Sequence, residues 1–114
     1  MTDQSSPTVI PPAPVDLVAV ASGGCQVILA WTECRAGGFG FRIERAVCHS
    51  PCKPFVEIGK VGRYVTAFSD RSVDPRTTCH YRVHAWNASG HSLPSNVVEV
   101  TMPPADTKPP PYKE

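Results

Sequence analysis

Three features of the chain predict an all-β fold of seven short strands. Apolar residues recur at every second position in Val27-Ile28-Leu29-Ala30-Trp31, in Phe39-Gly40-Phe41-Arg42-Ile43-Glu44-Arg45 and in Tyr81-Arg82-Val83-His84-Ala85-Trp86-Asn87. That period places side chains alternately on the two faces of a strand. Turn formers punctuate the chain between these runs, and no window of useful length keeps the 3.6-residue period of an amphipathic helix.

The elements follow in order. Leu17 to Val20 is the first strand, behind Pro14, and Ser22-Gly23-Gly24 turns the chain into the second, Cys25 to Thr32. Arg35 to Gly38 is a turn before the third strand, Phe39 to Val47. The loop Cys48-His49-Ser50-Pro51-Cys52-Lys53-Pro54 is constrained by its two prolines, and Phe55 to Val61 returns as the fourth strand. Thr66 to Asp70 is a short fifth strand and Asp74-Pro75 opens a turn. Thr78 to Trp86 is the sixth strand and Asn96 to Met102 the seventh. Strand parity predicts a core of Val27, Leu29, Trp31, Phe41, Ile43, Tyr81, Val83, Ala85, Val98 and Val100, with Leu17, Ala19, Ile58 and Phe68 closing the wall. Trp86 has the opposite parity from Tyr81 and is expected on an outer face.

Size and charge bound the function. Of 13 prolines, Pro7, Pro11, Pro12 and Pro14 precede the patterned segment and Pro103, Pro104, Pro109, Pro110 and Pro111 follow it. Proline fixes φ and lacks a backbone donor, so residues 1–13 and 103–114 read as extended linkers around a domain at 14–102. The domain, about 90 residues, is large enough for one modest core. Eleven Lys and Arg against ten Asp and Glu, scattered along the chain, give a net charge of +1. No basic stripe is present to hold a phosphate backbone, which argues against nucleic acid as a partner. No apolar run is long enough to span a bilayer, and the first twenty positions lack the basic and apolar regions of an export signal.

Enzymatic motifs are missing. There is no Gly-x-Ser-x-Gly elbow, and Gly37-Gly38-x-Gly40 lacks the Lys-Ser/Thr and helix of a phosphate loop. Asp70 and Asp74 fall at a strand end and a turn, where structural roles are expected. His84 reads as an outer-face strand residue and His91 as a loop residue. No catalytic residue and no cofactor are expected. Asn87-Ala88-Ser89 matches the glycosylation acceptor pattern, although a turn there explains the same residues.

The order of the motifs resembles a fibronectin type III domain, a two-layered antiparallel immunoglobulin-like sandwich. The resemblance rests on the Pro before the first strand, Leu17, Trp31, Phe41-x-Ile43, Phe68-x-Asp70, Tyr81-x-Val83, Asn87-x-x-Gly90 and Ser95-Asn96, spanning residues ~12–102. One departure stands out. The family usually carries a Tyr two residues before the position of Tyr81, whose hydroxyl ties a corner to the backbone. Cys79 occupies that place, so the corner hydrogen bond is expected to be lost and a disulfide to replace it.

Strand directions in such a sandwich gather Cys25, Cys48, Cys52 and Cys79 at one pole and leave Cys34 at the other. Four thiols allow three full pairings. Cys48–Cys52 is a local bridge across Pro51, with Cys25–Cys79 as its complement; the competing scheme joins Cys79 to Cys48 or Cys52. A metal site is the alternative, because His49 and His80 directly follow Cys48 and Cys79, but no second Cys-x-x-Cys or His-x-x-x-His half completes a zinc set, so no metal is expected. Haem attachment is excluded, since Arg45 and Arg76 stand three residues before the two Cys-His cysteines.

The resemblance and the cysteines together imply a non-catalytic spacer or protein-recognition module of a larger secreted or surface protein, with a cytoplasmic home as the alternative. Its partner is expected to be a protein or a neighbouring domain, contacted through Arg35, Phe39, Trp86, His91 and Leu93. Self-assembly through a Cys34 link or an edge strand is a second use of that surface. Carbohydrate binding beside a glycan-degrading enzyme, with Trp86 as the stacking platform, is a third.

Overall fold

In the computed structural model, residues 9–33 and 38–104 are described. Their strands are β1 (Val15–Ser22), β2 (Gln26–Thr32), β3 (Gly40–Cys48), β4 (Val56–Gly62), β5 (Ala67–Asp70), β6 (Thr78–Asn87), β7 (Gly90–His91) and β8 (Val98–Thr101). The sheets are antiparallel, β1-β2-β5 in one and β4-β3-β6-β7 in the other, with β8 also pairing β6. This is the expected two-layered all-β architecture. Among the described residues no helix is long and apolar enough to cross a membrane.

Parity does set the core. Leu17, Val27, Leu29, Trp31, Phe41, Ile43, Tyr81, Val83, Ala85 and Val100 are buried, and Ala19, Ile58, Phe68 and Val98 pack against them half-buried. Trp31 meets Phe41 edge-on, with ring centroids 5.5 Å apart. The Phe68 ring lies so close to the opposite sheet that a Cβ at Gly59 would stand 2.6 Å from it; glycine there admits the ring. Met102, in phase with Val98 and Val100, and Val73, from the connection between β5 and β6, also enter the core.

The count of strands differs from seven for a local reason. After β6 the chain turns at Asn87–Gly90, and Gly90 and His91 pair back as a two-residue strand. Ser92 and Ser95 then keep the chain beside β6: Ser92 N donates to Ala85 O at 2.7 Å and Ser95 N to Val83 O at 2.8 Å. Their hydroxyls accept the return bonds, Ala85 N to Ser92 Oγ at 2.9 Å and Val83 N to Ser95 Oγ at 3.0 Å. Pro94 has no N–H to offer a ladder, so Leu93 and Pro94 bow outward and regular pairing resumes only at Val98. Asn96 fastens the other layer, its side chain bonding both Leu17 N (2.9 Å) and Leu17 O (3.0 Å) across the bulge in β1.

Candidate contact surface and cysteine pole

Register divides β3 and β6 into two faces. Phe41↔Ala85, Ile43↔Val83, Arg45↔Tyr81 and Val47↔Cys79 point into the sandwich; Gly40↔Trp86, Arg42↔His84, Glu44↔Arg82, Ala46↔His80 and Cys48↔Thr78 point out. Paired residues share a face because the side-chain period is two. Two consequences follow, one for each end of the sheet.

At the end where β3 begins, Phe39 and Trp86 meet edge to face, with centroids 5.6 Å apart and planes at 87°, and Phe39 N donates to Trp86 O at 2.7 Å. Lys60 Nζ lies 5.6 Å from the Trp86 centroid. Trp86 therefore sits on the outer face as its parity requires, covered by Lys60 and Phe39, while Arg82 instead stacks on Phe55 at 4.0 Å. Gly40 is required here, since a Cβ would stand 2.3 Å from Val61 O and 3.3 Å from Trp86 Nε1. His91 pairs with Trp86 in register and meets Arg42 Nη1 through Nδ1 at 2.9 Å. Desolvation and the neighbouring charges of Arg42, His84 and Lys60 lower its pKa. Phe39 is 47% exposed and Leu93, at the tip of the outward bow, 75%. Of the expected contact residues, Phe39, Trp86 and His91 thus form one cluster with Leu93 on the adjoining strand segment; Arg35 lies outside the described residues, as does Cys34.

Below this cluster the outer face carries a buried carboxylate that sequence reading did not single out. Glu44 accepts from Arg82 Nε at 2.7 Å and meets His84 Nε2 at 3.0 Å, and it also accepts from Arg42. Burial alone would raise its pKa, but the hydrogen bonds from Arg42, Arg82 and His84 outweigh burial and hold the carboxyl at about 2. Asn87 serves the turn: its Nδ2 donates to Val9 O at 3.1 Å and its Oδ1 accepts from Ser89 N at 2.8 Å. The chain thus touches the sandwich as early as Val9, and Pro11 and Pro14 are buried.

At the other end the corner is held by ions. Tyr81 OH donates to Asp70 Oδ2 at 2.7 Å, and Arg45 Nη1 donates to the same oxygen at 2.7 Å. Ser72 adds N and Oγ donors to Asp70 Oδ1, at 3.1 and 2.8 Å. Asp70 is 3% exposed, so desolvation raises its pKa, yet these donors prevail and lower it. The same carboxylate and burial push the Tyr81 phenol up. Cys79 carries no phenol for the family's corner bond, as expected, but the substitute is not a disulfide: the Tyr81 hydroxyl and Arg45 tie the corner through the Asp70 side chain.

Of the expected cysteine pairings the local one is present, and its complement, Cys25–Cys79, is corrected. The sulfurs of Cys48 and Cys52 lie at disulfide distance, whereas Cys25 and Cys79 are free, the first exposed and the second buried. Cys79 points inward, 2% exposed, while Cys25 stands in the turn before β2. The competing pairing of Cys79 with Cys48 fails on parity, since Cys48 faces Thr78 on the outer side. Burial raises the Cys79 pKa, which keeps the thiol protonated and unreactive. Cys79 helps line a cavity of about 270 Å³ with Val47, Val73, Thr77, His49 and Lys53. A further group had been only half legible: ligand atoms of Cys48, Cys52 and His80 lie within 4.8 Å of one another, because His80 shares the outer face with Cys48, while His49 does not join them.

No family model matches the sequence, and no curated protein matches it significantly. Solved structures do match its fold. A several-domain fragment of titin superposes with a TM-score of 0.70 at 21% identity, covering 82% of this chain and 32% of that one. The FN5 domain of Drosophila Lar gives 0.68 at 18%, covering 82% and 97%. The fibronectin type-III domain of human fibronectin type III domain containing protein 3 gives 0.68 at 24%, covering 93% and 97%. The chain spans about a third of the titin fragment and of a chicken contactin fragment, 32% and 31%. Its fold is that of a fibronectin type III domain.

Proposed function

We propose that the chain is a non-catalytic recognition or spacer module that meets a protein partner, or a neighbouring domain of its own parent, through Phe39, Trp86, His91 and Leu93. The observation that carries this reading is the Phe39–Trp86 pair with Phe39 half in water and Leu93, on the segment after β7, 75% exposed. Aromatic anchors are what protein interfaces concentrate. The module is proposed to occupy residues 14–102 between Pro-rich segments at 1–13 and 103–114, the first of which lies against it at Val9 and Pro11. The cysteine pair at disulfide distance favours a secreted or surface location.

Photo-crosslinking groups at positions 39 and 93, compared with position 20 on the opposite sheet, test the surface. In the source extract, positions 39 and 93 should give one discrete adduct that disappears on Trp86→Ala. Equal labelling from position 20, or none from 39 and 93, contradicts the reading. An adduct with a second copy of the chain would place self-assembly ahead of a foreign partner.

A further inference from the structure

Cys48, Cys52 and His80 converge on the outer face of the β3–β6 sheet, and two features of the backbone hold them there independently of any bond between the sulfurs. Cys48 and Cys52 face each other as an antiparallel bridge, and Lys53 N donates to Val47 O at 2.9 Å, closing the loop behind them. His80 is fixed by the register of β6 on β3, where it faces Ala46 beside the Cys48↔Thr78 pair. Opening the Cys48–Cys52 disulfide would therefore leave two thiols and an imidazole close together rather than a dispersed loop.

The ligand atoms already lie within 4.8 Å of one another. Tetrahedral zinc with bonds of ~2.3 Å to sulfur and ~2.0 Å to nitrogen holds its ligand atoms roughly 3.5–3.8 Å apart, so on reduction the two sulfurs part and the imidazole needs only a modest shift, and a Cys-x-x-x-Cys spacing is within the range that zinc sites use. The ring is also oriented from behind, because Glu99 Oε1 lies 3.2 Å from His80 Nε2. A carboxylate on one ring nitrogen is the usual outer partner of a metal-bound histidine, and it leaves Nδ1 for the metal. Two thiolates and an imidazole select a borderline-soft cation over magnesium or calcium.

We propose that the reduced chain binds one zinc-class divalent cation through Cys48 Sγ, Cys52 Sγ and His80, with a fourth position open to water, and that disulfide formation and metal binding exclude each other at this site. The chemistry balances in two steps. A thiol reductant gives two electrons and two protons to the disulfide, breaking the S–S bond to two thiols and becoming a disulfide itself. The cation then forms two M–S bonds as both S–H groups release protons to solvent.

Cobalt(II) is the probe, titrated anaerobically into the full chain after phosphine reduction. The reduced chain should take up one equivalent, with a thiolate-to-cobalt charge-transfer band that zinc abolishes by displacement, and the disulfide form should show none. Cys52→Ser should lose most of the band. His80→Ala should weaken binding by at least ~10-fold. Cys25→Ser and Cys34→Ser should leave band and affinity unchanged, and far-UV circular dichroism should confirm that each variant is folded. Absence of the band in the reduced wild-type chain overturns the proposal. So does unchanged affinity in His80→Ala, or loss of the band on Cys34→Ser, which would assign the metal to a contact between chains.

Discussion

Where β3 gives way to β4 and β5 to β6, Arg45 and Tyr81 clamp one oxygen of a buried Asp70 and a four-residue step brings two sulfurs to bonding distance. At the opposite end of the same sheet, Phe39 and Trp86 touch edge to face, half of Phe39 stays in water, and Leu93 projects from a bow that Pro94 keeps out of the ladder. The first end is stiffened by charge and covalency; the second is held by packing and leaves its apolar atoms available. Charged and covalent fastening and exposed apolar side chains are thus separated along one pair of strands.

Four experiments break or sharpen that contrast, taken from the largest effect downward. Arg45→Ala leaves the Asp70 carboxylate buried, with Tyr81 and Ser72 but no cation, and should cost about 3–5 kcal/mol in denaturant melts. Acid should come next. Glu44 has its carboxyl lowered from 4.5 to about 2, so its contribution is fully present above pH ~4.5 and is lost as pH falls towards 2. The loss amounts to at most about 3 kcal/mol. Asp70, also lowered, acts in the same direction, and Glu44→Gln should flatten the acid limb without erasing it. Reducing Cys48–Cys52 returns a short loop's worth of entropy to the unfolded chain, about 2 kcal/mol, and should lower the melting temperature by several degrees. Phe39→Ala should matter least to stability, no more than about 1.5 kcal/mol, while removing the crosslinked adduct at position 93. A larger loss there than for Arg45→Ala would reverse the roles of the two ends.

Much of this was legible residue by residue. The alternation of Val27, Leu29 and Trp31 fixes the inner face of β2 on its own, and the parity of Trp86 against Tyr81 puts the tryptophan outside. The substitution of Cys79 at the corner could be seen as well, but not its remedy. Arg45 and Asp70 are far apart in the chain and meet only once β2, β3, β5 and β6 are aligned, and register is a property of paired strands. The same gap explains the cysteines: that four thiols share a pole follows from strand direction, but that Cys79 faces inward and Cys48 outward follows only from Cys48↔Thr78. His80 joins Cys48 for that reason too. Met102 continues the alternation of Val98 and Val100 and was within reach of the same parity argument, whereas Val73 lies in no periodic run.

The central claim, that the cysteine end is held at its corner by Asp70 rather than through Cys79, is tested most directly by thiol accounting on the unreduced native protein. Alkylation in native buffer followed by alkylation in denaturant, with peptide mapping, should recover Cys79 as a free thiol that reacts only after unfolding, and Cys48 joined to Cys52. Recovery of Cys79 in a disulfide with Cys25, Cys48 or Cys52 would contradict the account.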